Sequence, residues 1–158
     1  MVKKLNKKLT LYFEYNFPKK FEYSSSKKYI VTIGIGGNIG NIKQRFDKLL
    51  LKLRSDNRFD IISTSALLKN PPFGFLNQNY FINAIIKLKT NIYIKEFFKI
   101  MQRLEDRFKR TRPFKDSPRT LDIDIIFFDN KKINTKKLII PHKNWYKRDS
   151  VLIPLKYM

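Results

Sequence analysis

Two aspartates stand two residues apart in the run Pro118-Arg119-Thr120-Leu121-Asp122-Ile123-Asp124-Ile125-Ile126-Phe127-Phe128. The β-branched and aromatic residues around them predict a strand over Thr120–Phe128. On a strand, alternate residues share a face and lie roughly 6.5–7 Å apart along the chain. Asp122 and Asp124 therefore project together, while Leu121, Ile123 and Ile125 point to a core. Two carboxylates side by side repel each other wherever water is partly excluded. A divalent cation removes that penalty. Oxygen donors without thiolates or a histidine cluster suit Mg²⁺, which keeps several waters and shares substrate phosphates. The alternative is a solvent-facing strand with two ordinary charges. Ile126 and Phe128, read as the next residues on the acid face, weigh against it.

Just before the aspartates come Arg103, Arg107, Arg110, Arg112 and Arg119, with Lys109 and Lys115 among them. The planar guanidinium fits phosphate oxygens and keeps its charge. A basic loop beside a metal-binding acid pair suits phosphoryl transfer, in which cations neutralise charge on the transferring group. A solvated loop in a basic protein is the plainer reading, and Pro118-Arg119-Thr120 beside Asp122 tips the balance.

Three further candidates are weaker. Gly34-Ile35-Gly36-Gly37-Asn38-Ile39-Gly40 is glycine-rich but lacks the Gly-Lys-Ser/Thr ending of a phosphate loop. It reads as a tight turn that lets backbone approach a ligand or helix. Asn83 stands among Phe81, Ile82 and Ala84, and a buried amide must satisfy both of its ends. His142, the one histidine, follows Pro141 and precedes Arg148 by six residues.

The elements that must position these groups can be read from periodicity. Tyr29–Ile35 predicts a strand, with a glycine turn after it. Residues 41–54 carry Ile42, Phe46, Leu49, Leu50 and Leu53 at helical spacing. Phe59–Leu67 predicts a second strand, Lys69–Asn79 a Pro/Gly loop and Tyr80–Leu88 a third strand. Residues 92–108 form a second amphipathic helix, and 109–119 a basic loop before the acid strand. A short hairpin strand and irregular helical turns complete the chain. The order β-α-β-β-α-β predicts an α+β, ferredoxin-like antiparallel sheet with helices packed on it.

Residues 1–28 differ from the rest. They carry eight lysines against Glu14 and Glu22. Leu9, Leu11, Phe13, Tyr15 and Phe17 recur at period two, which predicts a strand whose apolar face packs on the body. Pro18 interrupts it, and Ser24-Ser25-Ser26 reads as a linker to a domain at 29–158.

Composition narrows the classes. The chain has 158 residues, 42% of them hydrophobic, enough for one domain with a core. Without cysteine there is no disulfide framework or thiolate metal site. No apolar leader follows the basic start, and no run approaches the roughly 18 residues of a membrane span. A cytoplasmic protein without a membrane partner is expected. The net charge of +21 attracts polyanions. Most of it is scattered lysine, so no specific nucleic acid is expected.

The pieces together resemble the 6-hydroxymethyl-7,8-dihydropterin pyrophosphokinase family of folate synthesis. The residues that carry the resemblance are G-G-N-I after the first strand, N-P-P-F-G at 70–74, F-I-N-A at 81–84 and Q-R-L-E at 102–105. Further on come R-x-R, P-R-T-L-D-I-D-I, I-P-H-K-N-W-Y-K-R and V-L-I-P-L, and the likeness spans about residues 29–155. It implies transfer of the β,γ-diphosphate of ATP to the pterin hydroxymethyl oxygen, with AMP released. It further implies two Mg²⁺ ions on Asp122 and Asp124, with Arg110 and Arg119 acting on the transferring group. Gln102, Glu105, Arg110, Arg112, Arg119, Ile125, His142 and Arg148 would meet ATP. Asn70, Pro71, Phe73, Phe81 and Asn83 would line the pterin pocket. Loops 71–80 and 109–119 would close over both substrates, in a monomer or weak dimer. The chain departs from the family at Ser150, where many members carry a stacking aromatic, and at Asp116-Ser117, where many carry Trp-Gly. Phe73, Phe114 and Trp145 are the candidate substitutes.

An RNA-recognition domain on the same plan is the competing reading. It would carry aromatics in a K/R-G-F/Y-G/A-F-V-x-F/Y stretch, and no such stretch occurs. A catalytically dead relative is a third reading, against which Asp122, Asp124, Arg119 and His142 stand intact.

Overall fold

The computed structural model describes residues 1–21 and 24–158. Glu22, counted above in the head's charge, and Tyr23 lie outside the described residues. In chain order the head contributes β1 (Val2–Lys4), β2 (Thr10–Tyr12) and β3 (Lys19–Lys20). Then come β4 (Tyr29–Gly37), α1 (Ile42–Ser55), β5 (Phe59–Thr64), β6 (Leu67–Asn70), β7 (Phe81–Thr90) and α2 (Ile94–Arg107). The acid strand is β8 (Asp122–Phe128). It is followed by a hairpin of β9 (Ile133–Asn134) and β10 (Ile139–Ile140), a 3₁₀ turn at Trp145–Lys147 and α3 (Asp149–Lys156). The architecture is mixed α/β, with three α-helices among the described residues and antiparallel pairing throughout the main sheet.

The sheet runs β1-β2-β6-β7-β4-β8, and β5 continues the line of β6 along β7. One face is apolar because Val31, Ile33, Ile35, Ala84, Ile86, Leu88, Ile123 and Ile125 alternate inward. α1 covers it with Phe46, Leu49, Leu50 and Leu53, and α2 with Ile94, Phe97, Ile100, Met101 and Leu104. Asn41 caps α1, its side-chain oxygen accepting from the Gln44 N–H at 3.1 Å. The opposite face is covered only in part, where α3 lays Val151 on Ile85 and Ile126. The rest of that face is left open beside the aspartates.

Several boundaries differ from the sequence expectation, each for a local reason. Gly34, Gly36 and Gly37 are strand residues, and the turn begins only at Asn38. They are glycine because neighbours press on the strand: a Cβ on Gly37 would sit 2.6 Å from the Thr120 carbonyl oxygen. The second strand is two strands, broken at Ser65-Ala66. There Ser65 Oγ accepts from the Ile85 N–H at 2.8 Å and donates to the Ala66 carbonyl at 2.8 Å. The following loop therefore starts at Pro71, after β6. In β8 the register slips by one residue opposite Thr32/Ile33. Ile126 and Phe127 therefore both join the α3 side, and Phe128 turns into the main core. Phe128 thus does not share the acid face.

The head's expected strand over 9–17 is three residues long. Leu9, Leu11 and Phe17 are buried as the period predicts, but Tyr15 is 84% exposed. A turn intervenes, with Glu14 and Phe17 exchanging backbone hydrogen bonds at 2.7 and 3.2 Å. β2 pairs with β6, β3 with β5, and Phe17 packs its ring on Phe46. Leu11 sits fully buried against Ala66 and Leu68. Leu11→Ala should cost about 2–5 kcal/mol in urea denaturation; an unchanged midpoint would mean that the head folds apart from the body.

Candidate active site

β8 is an edge strand, and its outer backbone row is met by Glu105, which accepts from the Ile123 N–H at 2.8 Å, and by the His142 N–H, which donates to the Ile126 carbonyl at 2.9 Å. In register, Asn83 of β7 and Asp122 of β8 both lie opposite Gly36 of β4. The next row joins Ile85, Gly34 and Asp124. An amide and a carboxylate thus stand on one face, two strand spacings or roughly 9.5 Å apart. The residue between them has no side chain, and a Cβ on Gly36 would collide with the Asn83 side-chain oxygen. The glycines therefore clear a floor between two polar ends.

Arginines meet the acid end. Arg110 Nη1 donates to Asp122 Oδ1 at 2.6 Å and to Glu105 Oε2 at 2.9 Å. Arg112 Nη2 donates to Glu105 Oε1 at 2.9 Å, and Arg119 Nη1 reaches Asp122 Oδ2 at 3.4 Å. The same loop encloses a hollow of about 340 Å³ lined by Arg110, Arg112 and Arg119. Arg103 and Arg107 do not join this cluster. Both line a separate hollow between the ends of α1 and α2, and Arg103 also faces Glu96 at 3.7 Å.

Asp124 is the acid without an arginine. The imidazole of His142 lies beside it, with Nε2 3.9 Å from Oδ2. Burial, then the charges of Asp122 and Glu105, push its carboxyl up to about 8. The side chain keeps 41% exposure, so water screens part of that push. Burial and the nearby Arg148 lower the His142 imidazole below its usual value, and its Nδ1 is buried without a partner. Burial raises the Glu105 carboxyl, while the Ile123 N–H and the two arginines oppose the shift. Among the described residues no group of three or more His, Cys, Asp and Glu could hold a metal alone. Two mutually repelling carboxylates on an open face do fit Mg²⁺, provided that other oxygens complete its shell.

The amide end has its own lining. Asn83 Nδ2 donates to Asn70 Oδ1 at 2.6 Å, and Asn70 Nδ2 donates to the Pro71 carbonyl at 3.0 Å. The Phe81 ring is buried, with the Arg119 guanidinium 5.3 Å from its centre. Phe73 is 73% exposed, with Arg148 at 5.1 Å from its ring. Phe81 and Phe73 are thus each faced by an arginine.

Sequence reasoning quoted Asn38 only as part of a motif, named Phe114 only as a substitute aromatic, and did not single out Gln78 or Phe75, which help to join the two loops. Asn38 is buried; its Oδ1 accepts from the Arg119 N–H at 2.9 Å, and its Nδ2 donates to Gln78 Oε1 at 2.9 Å and the Asn79 carbonyl at 3.0 Å. Gln78 Nε2 in turn donates to the Asp116 carbonyl at 2.9 Å. Phe75 stacks edge-on against Phe114 at 5.0 Å. The available signal was a lone polar residue directly after two strand glycines. Of the remaining expected ATP contacts, Gln102 is exposed on α2, and Ile125 turns its side chain into the core, leaving only its backbone for a ligand. Trp145 packs on Phe127 and Phe114 on Phe75, while Ser150 lies in α3.

A family model described as 7,8-dihydro-6-hydroxymethylpterin-pyrophosphokinase matches residues 32–158. The chain belongs to this family. Relatives span most of its length. The 2-amino-4-hydroxy-6-hydroxymethyldihydropteridine pyrophosphokinase of Campylobacter jejuni is 42% identical over 139 residues, covering 88% of each chain. That of Helicobacter pylori is 39% identical over 141 residues, covering 88% of this chain and 84% of its own. That of Bacillus subtilis is 32% identical over 126 residues, covering 80% and 75%. The match to the family model begins within β4, while the alignments with the Campylobacter and Helicobacter relatives are long enough to include part of the head.

The raised Asp124 carboxyl has a sign for stability. Between the ordinary value of 3.8 and about 8 the folded protein holds a proton that the unfolded chain has lost. Stability from this group is therefore greatest at low pH and declines as pH rises through that window. Thermal melting from pH 5 to 8 should show the decline in wild type and a flatter profile in Asp124→Asn. Parallel profiles would mean that Asp124 ionises normally.

Proposed function

We propose that the Asn83–Gly36–Asp122 floor is where a pterin alcohol and the phosphate chain of ATP are brought together. The chain is a transferase that moves diphosphate from ATP to 6-hydroxymethyl-7,8-dihydropterin in folate biosynthesis. The hydroxymethyl oxygen bonds to the β-phosphorus, the bridge to the α-phosphate breaks, AMP leaves and one proton is released. Transfer of this kind depends on positioning and charge stabilisation more than on covalent help from the protein.

In this reading Asp122 and Asp124 hold two Mg²⁺ ions. Bound there, the metal draws negative charge from the phosphate oxygens. Arg110 and Arg119 act on the transferring group. Arg112, His142, Arg148, Gln102, Glu105 and the Ile125 backbone form the nucleotide side. Asn70, Pro71, Phe73, Phe81 and Asn83 take the pterin, with Asn83 facing its donor–acceptor edge. The observation that carries this reading is the shared face: amide end and acid end lie one glycine apart in a single register row. The arginine–ring contacts at Phe73 and Phe81 support it, since a flat heterocycle and a triphosphate would meet along that line. The Asn38–Gln78 link supports closure of loops 71–80 and 109–119 as a unit, which would exclude water from ATP.

The order of strands and helices from β4 to β8 supports a ferredoxin-like domain over 29–158, with 1–28 as an appendage that extends its sheet. Among the described residues no helix is long and apolar enough to cross a membrane. A monomer or weak dimer in the cytoplasm is the setting that we infer.

Asp124→Ala should abolish AMP formation from ATP, Mg²⁺ and the pterin alcohol while circular dichroism stays that of the wild type. Turnover at the wild-type rate would remove Asp124 from the metal site, and ADP in place of AMP would overturn the reaction class.

A further inference from the structure

Glu105 stands in the last turn of α2, with only 5% of its side chain exposed. Its carboxylate has little left to offer a ligand. Oε2 accepts from Arg110 Nη1 at 2.9 Å and from the Ile123 N–H at 2.8 Å, and Oε1 accepts from Arg112 Nη2 at 2.9 Å. A buried carboxylate would repel a triphosphate. It holds two other elements: the loop, through ionic bonds to Arg110 and Arg112, and the edge of β8, through the Ile123 N–H.

Arg110 is held in an incomplete way. Its Nη1 carries two hydrogens and faces three acceptors, Glu105 Oε2, Asp122 Oδ1 and the Leu121 carbonyl at 3.4 Å. Its Nε is buried and has no partner. A guanidinium in a final seat uses its fork on two oxygens at once, and buried donors are rarely left empty. Arg110 is thus held near the acids with bonding capacity unspent. Glu105 fixes the loop's spacing as well, because Arg110 and Arg112 flank Thr111 and both return to one carboxylate.

We propose that Glu105 is a positioning residue that parks Arg110 and Arg112 beside the acid pair, so that both guanidiniums stand ready for the incoming phosphates. The inference rests on the proposed nucleotide side of the site and changes the part of Glu105 within it: it serves ATP through the arginines. When the phosphates arrive, Arg110 exchanges Asp122 for them while Glu105 keeps its hold, and Asp122 is released. Ile123, anchored by the same carboxylate, keeps Asp122 and Asp124 in place during the exchange.

Glu105→Gln tests this in the full-length protein, because glutamine still offers an oxygen to the Ile123 N–H but no charge to the arginines. With misplaced arginines, kcat should fall about 10²-fold, and KM for ATP should stay within about threefold. In the unliganded protein, nitrogen NMR should show resolved, slowly exchanging guanidinium signals for Arg110 and Arg112 in wild type that collapse in Glu105→Gln. In an Arg110→Ala background, Glu105→Gln should lower kcat less than in wild type, since the two act as one unit. A rise in KM with kcat intact would make Glu105 a direct nucleotide contact. Unchanged guanidinium signals, or lowered melting with unchanged kinetics, would overturn the proposal as well. Absence of AMP from the wild type would instead strike the proposed reaction, and the guanidinium signals would still decide the role of Glu105.

Discussion

Three carboxylates crowded at the end of one strand dominate this molecule. Asp122, Asp124 and Glu105 raise one another's free energy, and burial adds to the strain. Two of them are answered by arginines from a single loop. The third remains open and holds its proton more tightly. Much of the surrounding structure follows from this conflict. α2 must end where Glu105 can reach the β8 edge, and the loop after it must return three guanidiniums to the same spot. The positive φ of Lys109, directly after that helix, turns the chain back towards the acids.

The second constraint is backbone proximity. Gly36 and Gly37 keep β4 bare, so that the Asn83 amide and the Thr120 carbonyl can lie against it. Asn38 then collects the Arg119 backbone and the Gln78 side chain at the end of the same strand. Loops far apart in sequence are thereby tied to a single strand terminus. The Arg119 backbone and the 71–80 loop consequently share one anchor, Asn38. Charge at one end and shape at the other are coupled through ordinary amide hydrogen bonds.

Periodicity made most of the fold legible. The faces of α1 and α2 follow from Phe46, Leu49 and Leu53, and from Phe97, Met101 and Leu104, because helical spacing leaves those side chains one place to go. The pairing of Asp122 with Asp124 followed from the strand period alone. What escaped were features that depend on a partner strand. The break at Ser65 needs the Ile85 N–H to make sense of it, and the glycines of β4 read as a turn until Asn83 and Thr120 are seen pressing on them. The same holds for Arg103 and Arg107, whose sequence neighbourhood is basic but whose helical positions send them to the far side. The part of Asn38 was hidden because an amide's four hydrogen bonds carry no periodic signature.

The register slip in β8 has a wider meaning for how this strand can change over time. Up to Ile125 the strand alternates between acid and core; beyond it, Ile126 and Phe127 both serve the platform beneath α3. One surplus residue thus lets seven consecutive positions build a reactive patch and a docking plate for the C-terminal helix. Losing that residue would restore an even pleat in which Phe128 still turns to the core opposite Val31, but α3 would lose the Ile126 side chain on which Val151 rests, with Asp122 and Asp124 left where they are. Insertions and deletions in this stretch therefore strike the scaffold before the chemistry.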